Sequence, residues 1–274
     1  MPGSTTSQRR RRRREKVKPL LPNLFTTAAL FFGLLSIMVS MQTVALMGIE
    51  GAASDVVNKK FWWAAVFICI SGLFDLLDGT VARLMKSESK FGLSYDSLSD
   101  LVSFGVAPGV LVFSWTLMGA GKIGLMSVLF YIVCTALRLA RFNVQSTTIE
   151  KFGFTGIPSP AAAALMLAPV MLMTEYSYGP NEWSMWYYLF LSPFLGLLMV
   201  SDVRYSKGSR VLFRKSFNTL VIAAILIAAT VANPEMIFVI LSYIYGVSGL
   251  IIYVLKQLRR KPAAEAQEAF DTKE

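Results

Sequence analysis

The chain has 274 residues, 54% of them hydrophobic and only 16% charged, with a mean hydropathy of +0.53. Soluble domains carry about 25% charged residues, so the composition argues against an ordinary soluble enzyme and for a membrane protein. A formal charge of +10 comes with no histidine at all, which excludes a histidine base, a Ser-His-Asp triad and the usual catalytic zinc sites.

The first segment, residues 1–21, holds the run Arg9 to Arg14 followed by Lys16 and Lys18. Directly before an apolar stretch, such a run reads as a topology signal and an anionic-lipid contact rather than a nucleic-acid patch. No nucleic-acid partner is therefore expected. The run does not lead into a cleavage motif, so the first apolar segment is expected to be retained.

Apolar runs near the length needed to cross a bilayer then recur along the chain. Eight spans are predicted: Leu24–Met47, Phe61–Leu84, Asp96–Met118, Ile123–Phe142, Pro160–Glu175, Trp186–Val203, Phe217–Val231 and Glu235–Leu255. The fifth is short and the third opens on carboxylates. Cys69 and Cys134 both fall inside apolar runs and make no disulfide framework. The expected fold is an all-α, polytopic transmembrane helix bundle.

If the spans alternate, the basic residues sort by side. Arg9–Arg14, Lys86, Lys90, Arg138, Arg141, Lys151, Arg204, Lys207, Arg210, Arg214, Lys215, Arg259, Arg260 and Lys261 share one side, against Lys59, Lys60 and Lys122 on the other. The basic side is expected to be cytoplasmic, with both termini on it. Residues 262–274 are polar and Ala/Glu-rich, the composition of a disordered tail.

Four carboxylates stand out: Asp75, Asp78, Asp96 and Asp100, at the ends of two consecutive predicted helices. Each ionisable group at membrane depth costs about 2.5–3.5 kcal/mol on insertion scales, so such groups are functional candidates by default. Asp75 and Asp78 share a helical face with Gly79 and Ala82, and Gly92, Asp96 and Asp100 repeat every four residues on the next helix. Packed as an antiparallel hairpin, the two helices would bring the carboxylates together. An all-oxygen donor set suits Mg²⁺, Mn²⁺ or Ca²⁺ rather than zinc. The small residues leave room beside it, and Arg83 offers a planar guanidinium for phosphate. The alternative is a set of salt bridges from these acids to Arg83, Lys86 and Lys90.

The pattern D-x2-D-G-x2-A-R-x8-G-x3-D-x3-D, from Asp75 to Asp100, resembles the signature of the CDP-alcohol phosphatidyltransferase family. The resemblance implies that Asp75, Asp78 and Asp96 are ligands of a two-metal Mg²⁺ or Mn²⁺ site. It makes Asp100 the base and a further metal ligand. It also implies that Gly79, Ala82, Arg83, Ser89 and Gly92 contact the CDP moiety of a CDP-lipid, as do Asn23 and Thr26 at the entry to the first span. Within the family, the segments Asp96 to Pro108, Leu137 to Asn143 and Phe154 to Ala163 are similar to the phosphatidylserine synthase branch. That branch implies CDP-diacylglycerol and L-serine as substrates, with Arg138, Arg141, Asn143 and Ser159 around the serine. Read from the residues, Arg138 and Arg141 flank the aspartates and suit an anionic acceptor, with a positive-inside anchor as the alternative. Gly105 and Gly109 either allow close helix packing or accommodate Pro108 in a bent helix.

The resemblance further implies a core at 22–203, a C-terminal helix pair at 204–261, a homodimer, and a bacterial-type inner membrane with the active site cytoplasmic. Transfer to glycerol 3-phosphate or inositol phosphate is the nearest alternative. A cation transporter or a silent scaffold are the alternatives from other classes.

Overall fold

The computed structural model describes residues 20–49, 53–85, 89–147, 156–201, 233–249 and 251. Among these the chain is all-helical, with no strand. Helix α1 is Leu20–Met47 and α2 is Ser54–Met85. Helix α3, Lys90–Asp100, passes through a π-helical turn, Leu101–Val106, into α4, Ala107–Trp115. A 3₁₀ turn, Leu117–Ala120, leads into α5, Gly121–Thr147. Helices α6, Ser159–Glu175, and α7, Glu182–Val200, follow, and α8 spans Pro234–Gly249.

Five helical stretches are long and apolar enough to cross a membrane: Pro22–Met47, Ser54–Met85, Phe91–Trp115, Leu117–Val144 and Glu182–Val200. They make the chain an integral membrane protein. Helices α6 and α8 are apolar but shorter. The predicted span Phe217–Val231 lies outside the described residues, as does most of the last span beyond Gly249.

Several helices begin earlier than hydropathy predicts, because a helix continues through a polar first turn that a hydrophobic count ignores. Helix α2 starts at Ser54 with Asp55 in its first turn, where a carboxylate complements the helix dipole. Helix α7 starts from a capping box, in which Asn181 Oδ1 accepts from the Ser184 amide at 2.8 Å and Ser184 Oγ accepts from the Asn181 amide at 3.0 Å.

Helix α1 shows how the bundle is built. Its buried stripe is Pro22, Thr26, Ala29, Gly33, Ser36, Ser40 and Thr43, at alternating spacings of three and four. Its outward face carries Leu24, Phe31, Leu34, Met38 and Met41. Small and hydroxylated residues face the protein and large apolar ones face lipid, because in a bilayer close backbone approach rather than hydrophobicity drives helix association. Helices α1 and α2 share the largest contact in the fold. Ser71 of α2 and Ser103 of the π turn both donate to the Ala29 carbonyl, at 2.7 and 3.3 Å. A Cβ on Gly33 would sit 2.7 Å from Ser103 Oγ, so only glycine lets α1 approach the π turn this closely.

The stretch Phe91–Trp115 is the most buried of the five and runs through the centre of the bundle. Its π turn has an identifiable cause. Pro108 has no amide hydrogen and its ring would clash with the carbonyl four residues earlier, that of Phe104. The backbone widens instead, and the Ala107 amide bonds to Val102 five residues back. Tyr131 of α5, fully buried, supplies the missing donor, its hydroxyl reaching the Phe104 carbonyl at 2.7 Å. The two glycines of this region serve close packing: a Cβ on Gly105 would meet Thr135 Cγ2 at 3.2 Å, and one on Gly109 would meet Val128 Cγ1 at 2.9 Å.

Candidate active site

The ends of α2 and α3 carry the four aspartates, and the fold brings them together. One carboxylate oxygen from each of Asp75, Asp78 and Asp96 lies within 4.8 Å of the others. Asp100 joins them through a side-chain hydrogen-bond contact with Asp75. Two carboxyl groups in such contact require a shared proton or a bridging cation. Asp78 is buried and accepts from Thr26 Oγ1 of α1 at 2.7 Å. That bond fixes its orientation.

The donor set fits a hard divalent cation. All four side chains offer oxygen alone, three of them converge, and Asp96 Oδ1 is buried without a hydrogen-bond partner among the described residues. A buried carboxylate oxygen without a donor, on a residue clustered with two other carboxylates, is costly unless a cation completes it. Arg83 is exposed and donates its Nε to the Gly79 carbonyl at 2.8 Å, while the side chains of Lys86 and Lys90 lie outside the described residues.

The residues expected around the nucleotide flank this cluster. A Cβ on Gly79 would meet none of the described residues within 4 Å. Packing among them therefore does not demand glycine there and leaves space beside the aspartates. Gly92 differs: a Cβ would lie 3.1 Å from Ser89 Oγ and 3.4 Å from Asn23 Oδ1. The fold thus gathers Asn23, Ser89 and Gly92. Ser89 is also the N-cap of α3, accepting from the Gly92 amide at 3.0 Å. Ala82 is half-buried on the turn after Gly79. Thr26, buried against Asp78, acts first on a carboxylate.

The residues expected around an acceptor divide into two groups. Arg138 reaches the start of α6, its Nη1 donating to Ser159 Oγ at 2.9 Å. Its Nε is buried and has no hydrogen-bond partner among the described residues, and the charge of Asp100 acts on the guanidinium. Arg141, more exposed, donates Nη1 to the Val200 carbonyl at the end of α7, at 3.2 Å, a favourable place for a cation. Asn143 Oδ1 accepts from Ser97 of α3 at 3.1 Å. The segment leading into α6 is pinned at Gly156, whose φ is +82° and whose Cβ would collide with the Met199 carbonyl at 2.2 Å. The Ile157 amide then bonds to the Leu198 carbonyl at 3.2 Å, which places Ser159 under Arg138.

The model of the CDP-alcohol phosphatidyltransferase family matches residues 19–194. The chain belongs to that family. The match takes in all four aspartates and every nucleotide and acceptor candidate. The chain is 34% identical over 247 residues to the CDP-diacylglycerol–serine O-phosphatidyltransferase of Helicobacter pylori, covering 88% of this chain and 95% of that one. It is 36% identical over 187 residues to the enzyme of that name from Methanocaldococcus jannaschii, covering 68% and 82%. To the Saccharomyces cerevisiae enzyme of that name it is 41% identical over 111 residues, 38% and 40% of the two chains.

Sequence reasoning missed the supports of the site. Ser99 Oγ, one residue before Asp100, donates to the Thr26 carbonyl at 3.2 Å, and Tyr131 holds the turn that follows Asp100. Pro108 was the available signal for Tyr131, since a proline inside a helix leaves a carbonyl in need of a donor.

Proposed function

We propose that this chain transfers the phosphatidyl group of CDP-diacylglycerol to L-serine, giving phosphatidylserine and CMP. The observation that carries the proposal is the convergence of Asp75, Asp78 and Asp96 within 4.8 Å, with Asp100 against Asp75, beside an open face at Gly79. The choice of serine rests on the printed activity of the relatives over most of the chain.

In this reading Asp75, Asp78 and Asp96, with Asp100, hold a pair of Mg²⁺ or Mn²⁺ ions. When bound, such a pair neutralises charge on the pyrophosphate and on the departing phosphate oxygen. Asn23, Thr26, Gly79, Ala82, Arg83, Ser89 and Gly92 border the CDP moiety. Arg138, Ser159, Asn143 and Arg141 border the serine, with Arg138 as the partner of its carboxylate. Asp100 takes the proton of the serine hydroxyl. The serine oxygen attacks the phosphorus that bears diacylglycerol, the new P–O bond forms, and the bond to CMP breaks. Thr26 and Tyr131 keep the carboxylates in register for this displacement.

The finer architecture belongs to the same reading: eight spans, with a six-helix core at 22–203 and a C-terminal pair at 204–261. The basic segment 1–21, the tail 262–274 and the active site are cytoplasmic in a bacterial-type inner membrane, and the chain is a homodimer.

The test is an acceptor panel. Purified protein in liposomes receives CDP-diacylglycerol with Mg²⁺ or Mn²⁺, then serine, glycerol 3-phosphate, inositol or inositol phosphate, and CMP release is followed. Metal-dependent release with serine, together with phosphatidylserine formation, is the expected result. Release only with another acceptor overturns serine and keeps the chemistry. No release from folded protein overturns both and favours the cation-transporter reading, which intramembrane acids also permit.

A further inference from the structure

The outward face of α1 is large and apolar at Leu24, Phe31, Leu34, Met38 and Met41, and exposed Thr27 interrupts it. The interruption has partners. Thr27 Oγ1 donates to the Asn23 carbonyl at 2.7 Å and lies 3.0 Å from the Tyr95 hydroxyl of α3. A threonine hydroxyl has one proton, so with that proton on Asn23 the phenol is the donor of the second bond. The result is a strap of two hydrogen bonds, from Tyr95 to Thr27 to Asn23, across the seam between α1 and α3. Phe91, about one turn before Tyr95, stacks on its ring with centroids 5.9 Å apart and planes 17° apart, which limits the rotation of the phenol.

We propose that Tyr95 and Thr27 are positioning residues for the CDP-lipid: the strap holds the start of α1 against the start of α3 and keeps the Asn23 carboxamide at Gly92. The inference deepens the proposed function and rests on its reading of Asn23 and Gly92 as residues that border the CDP moiety. The strap sits where that border is tightest. A Cβ on Gly92 would come within 3.4 Å of Asn23 Oδ1 and 3.1 Å of Ser89 Oγ, the N-cap of the same turn. About one turn further along α3, Ser99 Oγ ties the two helices again, on the Thr26 carbonyl at 3.2 Å. Loss of the strap therefore lets the helix starts part while the aspartates beyond stay tied. The acceptor candidates are insulated by the helix itself. Ser97, the α3 residue that meets Asn143, lies two positions after Tyr95 and so on the opposite side of α3.

The experiment reads the Kd for CDP-diacylglycerol with Mn²⁺ by equilibrium titration, and the KM for whichever acceptor the panel selects. The proteins are wild type, Tyr95→Phe, Thr27→Val, Thr27→Ser, the double variant of the first two, and Asn23→Ala. Tyr95→Phe keeps the ring and its stack on Phe91 and removes only the hydroxyl. Thr27→Val removes the relay at nearly constant volume, and Thr27→Ser keeps it. Tyr95→Phe and Thr27→Val should each raise the donor Kd about three- to tenfold, the scale of one neutral hydrogen bond, with the acceptor KM within about twofold of wild type. The double variant should be no worse than the weaker single one, since both break one strap, and Thr27→Ser should stay near wild type. An unchanged donor Kd in Tyr95→Phe, where Asn23→Ala raises it, overturns the strap and keeps Asn23 on the nucleotide. An unchanged donor Kd in Asn23→Ala overturns the reading beneath the inference as well. An equal rise in donor Kd and acceptor KM, or additive losses in the double variant, overturns positioning of the donor by a single strap. Failure of the serine assignment shows in the wild-type panel alone and leaves the donor titration intact.

Discussion

Tyr131→Phe removes one hydroxyl from a fully buried ring and leaves the Phe104 carbonyl without a donor, because Pro108 has no amide hydrogen to offer. An unsatisfied buried acceptor costs about 1–3 kcal/mol, whereas a lost hydrogen bond to a group that finds another partner costs about 0.5–1.5 kcal/mol. The Tyr131 ring is fully buried, so the larger range applies. The variant should lose about 2 kcal/mol of stability, which for a chain of this size lowers Tm by roughly 4–8 °C by the soluble-protein scale of about 2–4 °C per kcal/mol. Pro108→Ala provides the internal control, since it returns an amide hydrogen four residues after Phe104. Thermal unfolding in one detergent of wild type, both single variants and the double variant closes a cycle. The loss caused by Tyr131→Phe should shrink by at least about 1 kcal/mol in the Pro108→Ala background, the scale of a typical coupled pair. Equal losses in both backgrounds would refute the account of the π turn as a proline effect rescued by a tyrosine.

Two predictions concern the carboxylates. Asp100→Asn should lower turnover by about 10²–10⁴-fold, the span for removing a general base, while Mn²⁺-dependent binding of CDP-diacylglycerol stays measurable by equilibrium titration; near-normal turnover removes Asp100 from the base role. Thr26→Val deletes the 2.7 Å bond to Asp78 at nearly constant volume, and should weaken Mn²⁺ binding about 10–100-fold as outer-shell partners of metal ligands do. An unchanged Mn²⁺ titration would show that Asp78 is oriented without it.

The aspartate cluster was legible in the sequence because its information is local. Spacings of three and four put Asp75 with Asp78, and Asp96 with Asp100, on single helical faces, and consecutive helices had only to pack for the faces to meet. The inner stripe of α1 is written equally plainly in its small and hydroxylated residues. What was not legible depends on distant partners. Arg138 and Arg141 are nearly one turn apart, so spacing places them on one face. Only packing turns the first to Ser159 and the second to Val200. Helix starts were shifted for the opposite reason: polar first turns such as Ser54–Asp55 carry helical capping information to which hydropathy is blind.

The same economy explains how four acids persist inside an apolar bundle. A lysine or arginine supplied to each aspartate would neutralise it and close the site to cations. Among the described residues, the hydroxyls beside the cluster are mostly committed to backbone carbonyls: Ser71 and Ser103 to Ala29, Ser99 to Thr26. Those bonds lock α1, α2 and the π turn together without spending a donor on the carboxylates. The Thr26 hydroxyl instead donates to a carboxylate, that of buried Asp78. Among the described residues, Asp96 Oδ1 is left without a hydrogen-bond donor. Three carboxylates that converge as an oxygen-only donor set, on a backbone locked in this way, form a cluster that could hold a hard cation.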